Sequence, residues 1–187
     1  MRRRTLVLLA INLGTLSCSA ADGQAPPAAP SDSATLISPS SVIQATIDGS
    51  RIFGPQIELT CDANGMRGRG PLGIVDLRKT DGSIRGVVGG GPTELYLEPE
   101  GENGFALRGL FSAVLGHLEV KQDRIQGQLG RCQYNLRRYV SEESVAYTGQ
   151  RICGRGYVEP TTFTLSPGIA ALEPIDRAAL IAVLLGH

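Results

Sequence analysis

Five segments of the chain carry an apolar residue, a variable residue and a glycine, and each is followed by two apolar residues that flank a third. They are Met66-Arg67-Gly68 with Val75-Asp76-Leu77, Ile84-Arg85-Gly86 with Leu95-Tyr96-Leu97, Leu107-Arg108-Gly109 with Leu118-Glu119-Val120, Ile125-Gln126-Gly127 with Tyr134-Asn135-Leu136, and Ile152-Cys153-Gly154 with Phe163-Thr164-Leu165. From each glycine to the last residue of its pair the offsets are 9, 11, 11, 9 and 11 residues, all odd. In an extended chain a change of two keeps a side chain on its face and a change of one flips it, so constant parity is a property of strands that helices do not share. Leu95, Leu97, Leu118 and Val120 should therefore face a core, with Tyr96 and Glu119 pointing away.

Turn signals lie between the apolar runs: Asp48-Gly49, Asn64-Gly65, Asp81-Gly82, Gly89-Gly90-Gly91-Pro92 and Glu100-Gly101-Glu102-Asn103-Gly104. Asn-Gly and Asp-Gly between alternating runs signal hairpins, because both residues tolerate positive φ. Glycines inside the runs, Gly86, Gly109 and Gly127, read as bends or bulges in a twisted sheet. The expected fold is all-β or β-rich, with antiparallel hairpin repeats in a sandwich or open barrel. The alternative is a parallel β-solenoid, which the spacings of 18, 23, 18 and 27 residues between successive glycines also suit. After Ser166-Pro167-Gly168 the pattern changes, and helix formers from about residue 174 to 185, between Pro174 and Gly186, predict one C-terminal helix without a clean polar face. Packing across the sheet or plugging its open end would bury it.

The N-terminus reads differently. Arg2-Arg3-Arg4, the apolar run Leu6-Val7-Leu8-Leu9-Ala10-Ile11 and small residues before Cys18 have the anatomy of an export signal, 1–18. The apolar run is too short to span a bilayer. Gly14-Thr15-Leu16-Ser17-Cys18 resembles the lipobox of bacterial lipoproteins, which implies lipidation of Cys18, a membrane held through that anchor, palmitate among the acyl chains, and, with Ser19 following, the outer membrane. The rival is ordinary cleavage after Ala20 or Ala21, giving a soluble periplasmic or secreted protein. Residues 19–41, dominated by Ala, Pro and Ser, predict a disordered linker, leaving 42–187 as a single β-rich domain.

With the three signal arginines gone, the 18 basic and 18 acidic residues become a net charge of about −3, which gives no basic excess for a nucleic-acid partner. Three further cysteines, Cys61, Cys132 and Cys153, are disulfide candidates in an oxidising compartment, with Cys132–Cys153 preferred. His117 has no second histidine or cysteine at a chelating spacing, so no metal or cofactor is expected. Asp62-Ala63-Asn64-Gly65 lacks the acidic residue that closes a calcium loop and reads as a turn. No nucleophile, phosphate-loop or zinc-protease motif occurs, so no catalytic residue is assigned. The functional expectation is a non-enzymatic envelope lipoprotein, binding a protein partner in an adhesion, motility or secretion assembly. The alternative is a small-ligand carrier or small periplasmic enzyme with a pocket in an open barrel, into which His117 or Glu119 would point.

Overall fold

The computed structural model describes residues 32–101, 104–140, 144–154 and 156–187; the signal and the lipobox-like segment lie outside the described residues. Fourteen strands follow in chain order: β1 (Asp32–Ser38), β2 (Ser41–Asp48), β3 (Arg51–Gly54), β4 (Ile57–Asp62), β5 (Gly65–Gly70), β6 (Gly73–Thr80), β7 (Ser83–Val88), β8 (Gly91–Glu100), β9 (Gly104–Phe111), β10 (Val114–Val120), β11 (Arg124–Leu129), β12 (Cys132–Val140), β13 (Val145–Cys153) and β14 (Tyr157–Leu165). A short turn of helix, α1 (Pro167–Ala170), and a longer helix, α2 (Pro174–Leu185), end the chain.

Each strand pairs antiparallel with its successor, and β14 returns to β1, with Ala34 opposite Leu165 and Ile37 opposite Thr162. The result is an up-and-down barrel of seven hairpins. It is closed, where the sequence suggested a sandwich or an open barrel, and no parallel solenoid coil is present in the wall. Closure depends on β1, which lies in the stretch 19–41 expected to be linker. That expectation is corrected for residues 32–41. Ala34 and Leu36 are buried against the neighbouring strands, so the short alternating run outweighs the Ser-rich composition around it. Without β1, β2 and β14 would both present unpaired edges.

Alternation decides the two faces. Leu95, Leu118 and Val120 are buried, Leu97 is half-buried against the core, Tyr96 is exposed, and Glu119 lies outside beside Lys121. The repeat has a stereochemical cause: in the register, Leu59, Leu77, Leu95 and Leu118 stand opposite Gly68, Gly86, Gly109 and Gly127. A Cβ at Gly86 would lie 1.9 Å from the Asp76 carbonyl oxygen, and one at Gly109 2.1 Å from that of Glu94, with φ at +149° and +133°. Only glycine lets the strands approach there. The fifth copy departs from this rule. Gly154 sits in the β13–β14 turn, and Gly149, opposite Leu136, occupies the equivalent register position.

The lumen is filled by α2. Residues 178–185 are all buried, and twelve helical residues, about 18 Å long, run from one end of the barrel toward the other. A helix surrounded by an apolar wall needs no polar face, which explains its sequence. Its N-terminal end shares the entry end of the barrel with Asp32, Lys79 and the β10–β11 connection. Its C-terminal end reaches the far end, with the turns 39–40, 55–56, 71–72, 89–90, 112–113, 130–131 and 154–156.

Candidate functional site

At the far end a polar cluster closes the lumen over the end of α2. Arg151, 2% exposed, is carried inward on β13. Its Nη2 donates toward Ser38 Oγ (3.1 Å), Ser40 Oγ (3.1 Å) and Glu159 Oε2 (3.0 Å), while Nη1 lies 3.2 Å from His187 Nε2. Ser40 Oγ donates to the same Glu159 oxygen at 2.7 Å. These bonds hold the Glu159 carboxyl below its ordinary pKa, the Ser40 hydrogen bond contributing most.

Ser41 Oγ stands 3.0 Å from His187 Nε2, a spacing compatible with a nucleophile and its base. The surroundings argue for a different role. His187 Nδ1 lies 2.8 Å from the Leu184 carbonyl, which fixes Nδ1 as the protonated nitrogen and leaves Nε2 to accept from both Ser41 and Arg151. Burial, and then the Arg151 charge, lower the His187 pKa, which weakens it as a base. Tyr134 donates its hydroxyl to the Leu185 carbonyl, and burial pushes that phenol up to about 12, so it stays neutral. The last carbonyls of α2, which have no partner inside the helix, thereby find donors. The cluster seals and caps the plug.

Cys132 and Cys153 are joined beside this seal, as register partners on β12 and β13. Cys61 is the free cysteine among the described residues. It lies at the entry end, half-buried near Lys79 and Asp176, and burial raises its thiol pKa to about 11. His117 faces outward, its Nε2 3.8 Å from Glu119 Oε1. Cys61 lines an entry-end cleft of about 280 Å³, whereas His117 and Glu119 pair on the outer wall. Asp62 Oδ1 accepts from the backbone N–H groups of Asn64 (2.7 Å) and Gly65 (2.9 Å), so the segment is a turn around Ala63-Asn64. No group of three or more His, Cys, Asp or Glu side chains able to hold a metal occurs among the described residues. Cys18 lies outside them.

Clefts surround the plug at the entry end. One, about 390 Å³, has Tyr147, Leu165 and Ile181 in its wall and Lys121, Arg138 and Arg177 at its margin. Lys121 is held by Glu119 (3.0 Å) and Glu100 (3.3 Å). Arg177 donates to the Ala170 carbonyl (2.6 Å) and stacks over Phe105 (5.4 Å), fastening the α1–α2 elbow.

The outer surface is sorted by height. Next to the closing pair of each far-end turn is one outward cross-strand pair: Ile37/Val42, Phe53/Glu58, Arg69/Ile74, Val87/Pro92, Leu110/Leu115, Gln128/Gln133 and Ile152/Val158. Ten of these fourteen residues are apolar, several widely exposed: Leu115 75%, Ile74 67% and Val42 57%. Two residues nearer the entry end, the next outward pairs include Arg67/Asp76, Arg85/Glu94 and Arg108/His117, and thirteen of the fourteen are polar. Sequence reasoning missed both this ring and the Arg151 cluster. Local sequence marks the ring only in part: Phe53 and Ile74 adjoin Gly54 and Gly73, but Leu110 and Leu115 flank the Ser112-Ala113 turn, which has neither glycine nor proline. No family model, no curated protein and no solved structure matches the chain.

Proposed function

We propose that the protein is a non-enzymatic cell-envelope component, tethered through a lipid on Cys18 and working as a rigid binding module through its outer surface. One observation carries this reading. The lumen, where a carrier barrel would hold its ligand, is occupied by α2, with residues 178–185 buried in it. The wall and plug form one apolar core, so binding falls to the exterior. The Cys132–Cys153 bridge agrees with an oxidising compartment. The resemblance around Cys18 supplies the anchor, and the outer membrane is its proposed address. Metabolic labelling with a fatty-acid analogue tests the anchor. The wild-type chain should take up label and partition with detergent-extracted membranes, and Cys18→Ser should do neither. Equal labelling and equal mature mass for the two forms would refute lipidation.

A further inference from the structure

The geometry points to a second membrane contact that is separate from any lipid: we infer that the far end of the barrel docks end-on into the interface of a lipid bilayer through its ring of outward apolar side chains. This rests on the envelope reading for its location, but on different residues.

The shape of the apolar surface selects the occupant. A protein partner is recognised by a patch on one side. Here the apolar positions run around the circumference at one height, with Ile37 and Val42 on β1 and β2, Ile74 on β6, Leu115 on β10 and Val158 on β14. The break in polarity also follows a height, because the pairs two residues further along the same strands are polar nearly without exception. A boundary shared by six of the seven hairpins, all but the Gln128/Gln133 pair of β11–β12, matches a planar phase boundary. The depth fits as well: from the ring to the turn tips is about three residues, or about 10 Å, comparable with the 5–10 Å to which interfacial elements bury. The polar second ring excludes deeper insertion, since a spanning barrel carries an outward apolar band about 25 Å tall.

Charge is arranged in the same sense. Among the described residues, the far-end turns contain no carboxylate, and their one charged residue, Arg131, is basic. Among the described residues, the connections at the entry end carry Asp81 and Asp123 against one Lys121. The far end is therefore the end that anionic headgroups accept. The tether permits the orientation. Asp32 leaves the barrel at the entry end, and the fourteen steps back to Cys18 reach about 46 Å when extended, more than the ten residues of β8 at about 34 Å. Anchor and ring can engage the same bilayer.

The chain has no tryptophan, so one introduced indole reports its own position. Leu115→Trp in the ring and Gln126→Trp in the polar second ring, each in the full chain, are mixed with vesicles of phosphatidylcholine and phosphatidylglycerol, with and without brominated acyl chains. The inference requires a blue shift and bromine quenching for Leu115→Trp and neither for Gln126→Trp. The further substitution Ile74→Gln and Val42→Gln in the Leu115→Trp chain should weaken vesicle titration at least tenfold. Silence at both positions overturns the inference, as does a response at both. A blue shift of Leu115→Trp that rises with protein concentration without vesicles would overturn it in favour of self-association. Co-sedimentation without a shift would leave the Cys18 anchor standing and sink the ring, whereas a shift retained in the unlabelled Cys18→Ser chain would show that the ring binds without the anchor.

Discussion

Replacing Gly86 by Ala tests whether the repeat glycines exist for close strand approach. The added Cβ would sit 1.9 Å from the Asp76 carbonyl oxygen and 3.1 Å from the Leu77 Cα, at φ +149°. Adopting that backbone region costs a non-glycine residue about 1–2 kcal/mol. Relieving the contact means moving β7 away from β6 by about 1 Å, which weakens two or so ladder hydrogen bonds at about 1 kcal/mol each. The total is about 3–4 kcal/mol, a large fraction of a domain's 5–15 kcal/mol. Gly82→Ala is the matched control: at φ +70° it has nothing within 4 Å of its added Cβ, so only backbone strain remains, about 1 kcal/mol. Gly149→Ala separates the two effects, because its Cβ would meet the Asn135 carbonyl oxygen at 2.2 Å without a positive φ. Urea unfolding followed by circular dichroism reads all three. With m near 2 kcal/mol/M, Gly86→Ala should lower the midpoint by about 1.5–2 M, Gly149→Ala by about 1 M and Gly82→Ala by about 0.5 M. Midpoints of Gly86→Ala and Gly82→Ala within error of each other would refute the reasoning.

The remaining expectations use the same unfolding assay. Leu118→Asp places a carboxylate in the lumen wall and should unfold the domain, whereas Glu119→Lys loses outer-wall pairs with Lys121 and His117 and should leave the urea midpoint nearly unchanged. Similar losses for both would undo the assignment of faces. The paired change Cys132→Ser with Cys153→Ser opens a loop of sequence separation 21 and should lower stability by about 3 kcal/mol; no change would mean the bridge is absent in solution. His187 has a folded pKa below its unfolded value, because burial and Arg151 disfavour the imidazolium. The unfolded chain therefore takes up the proton first as pH falls, and stability should be flat above about pH 6.5 and decline below it. His187→Gln should flatten that slope, and an unchanged slope would contradict the seal.

How far the fold was legible follows from where the information lies. Strand parity is local, so the faces of Leu95, Leu118, Val120 and Tyr96 could be read from spacing alone. Closure is not local. It depends on Ala34 meeting Leu165, and β1 was hidden by the Ser, Pro and Ala around it. Turn chemistry was legible only where glycine carried it. Ser112 and Ala113 take φ of +47° and +66° without any glycine, held by Thr93 Oγ1 accepting the Ser112 N–H (3.0 Å) and Ser112 Oγ donating to the Val88 carbonyl (2.9 Å). The seal was invisible for the same reason as the closure: Ser41 and His187 are 146 residues apart, and no local pattern links them to Arg151.

The direction of the plug ties the seal to the ring. α2 enters with its N-terminus at the acidic end of the barrel, where Lys79 and Asp176 are paired, and ends among donors at the apolar end. A helix terminus leaves its last carbonyls without partners and carries partial negative charge. At a solvated end water would satisfy both. Where a docked end reaches toward the acyl chains water becomes scarce, and polar groups there are best paired within the protein. The end of α2 meets this: Gly186 N–H bonds to the Ala182 carbonyl, Tyr134 to Leu185 and His187 to Leu184, and Arg151, whose Nε alone is left without a partner, places a buried positive charge beside the terminus. The entry end has the larger clefts, about 390 and 310 Å³ against about 270 Å³ at the far end, and the exposed carboxylates of Asp81 and Asp123. The far end is thus apolar outside while the last carbonyls of α2 are paired inside, and the two features answer the same requirement.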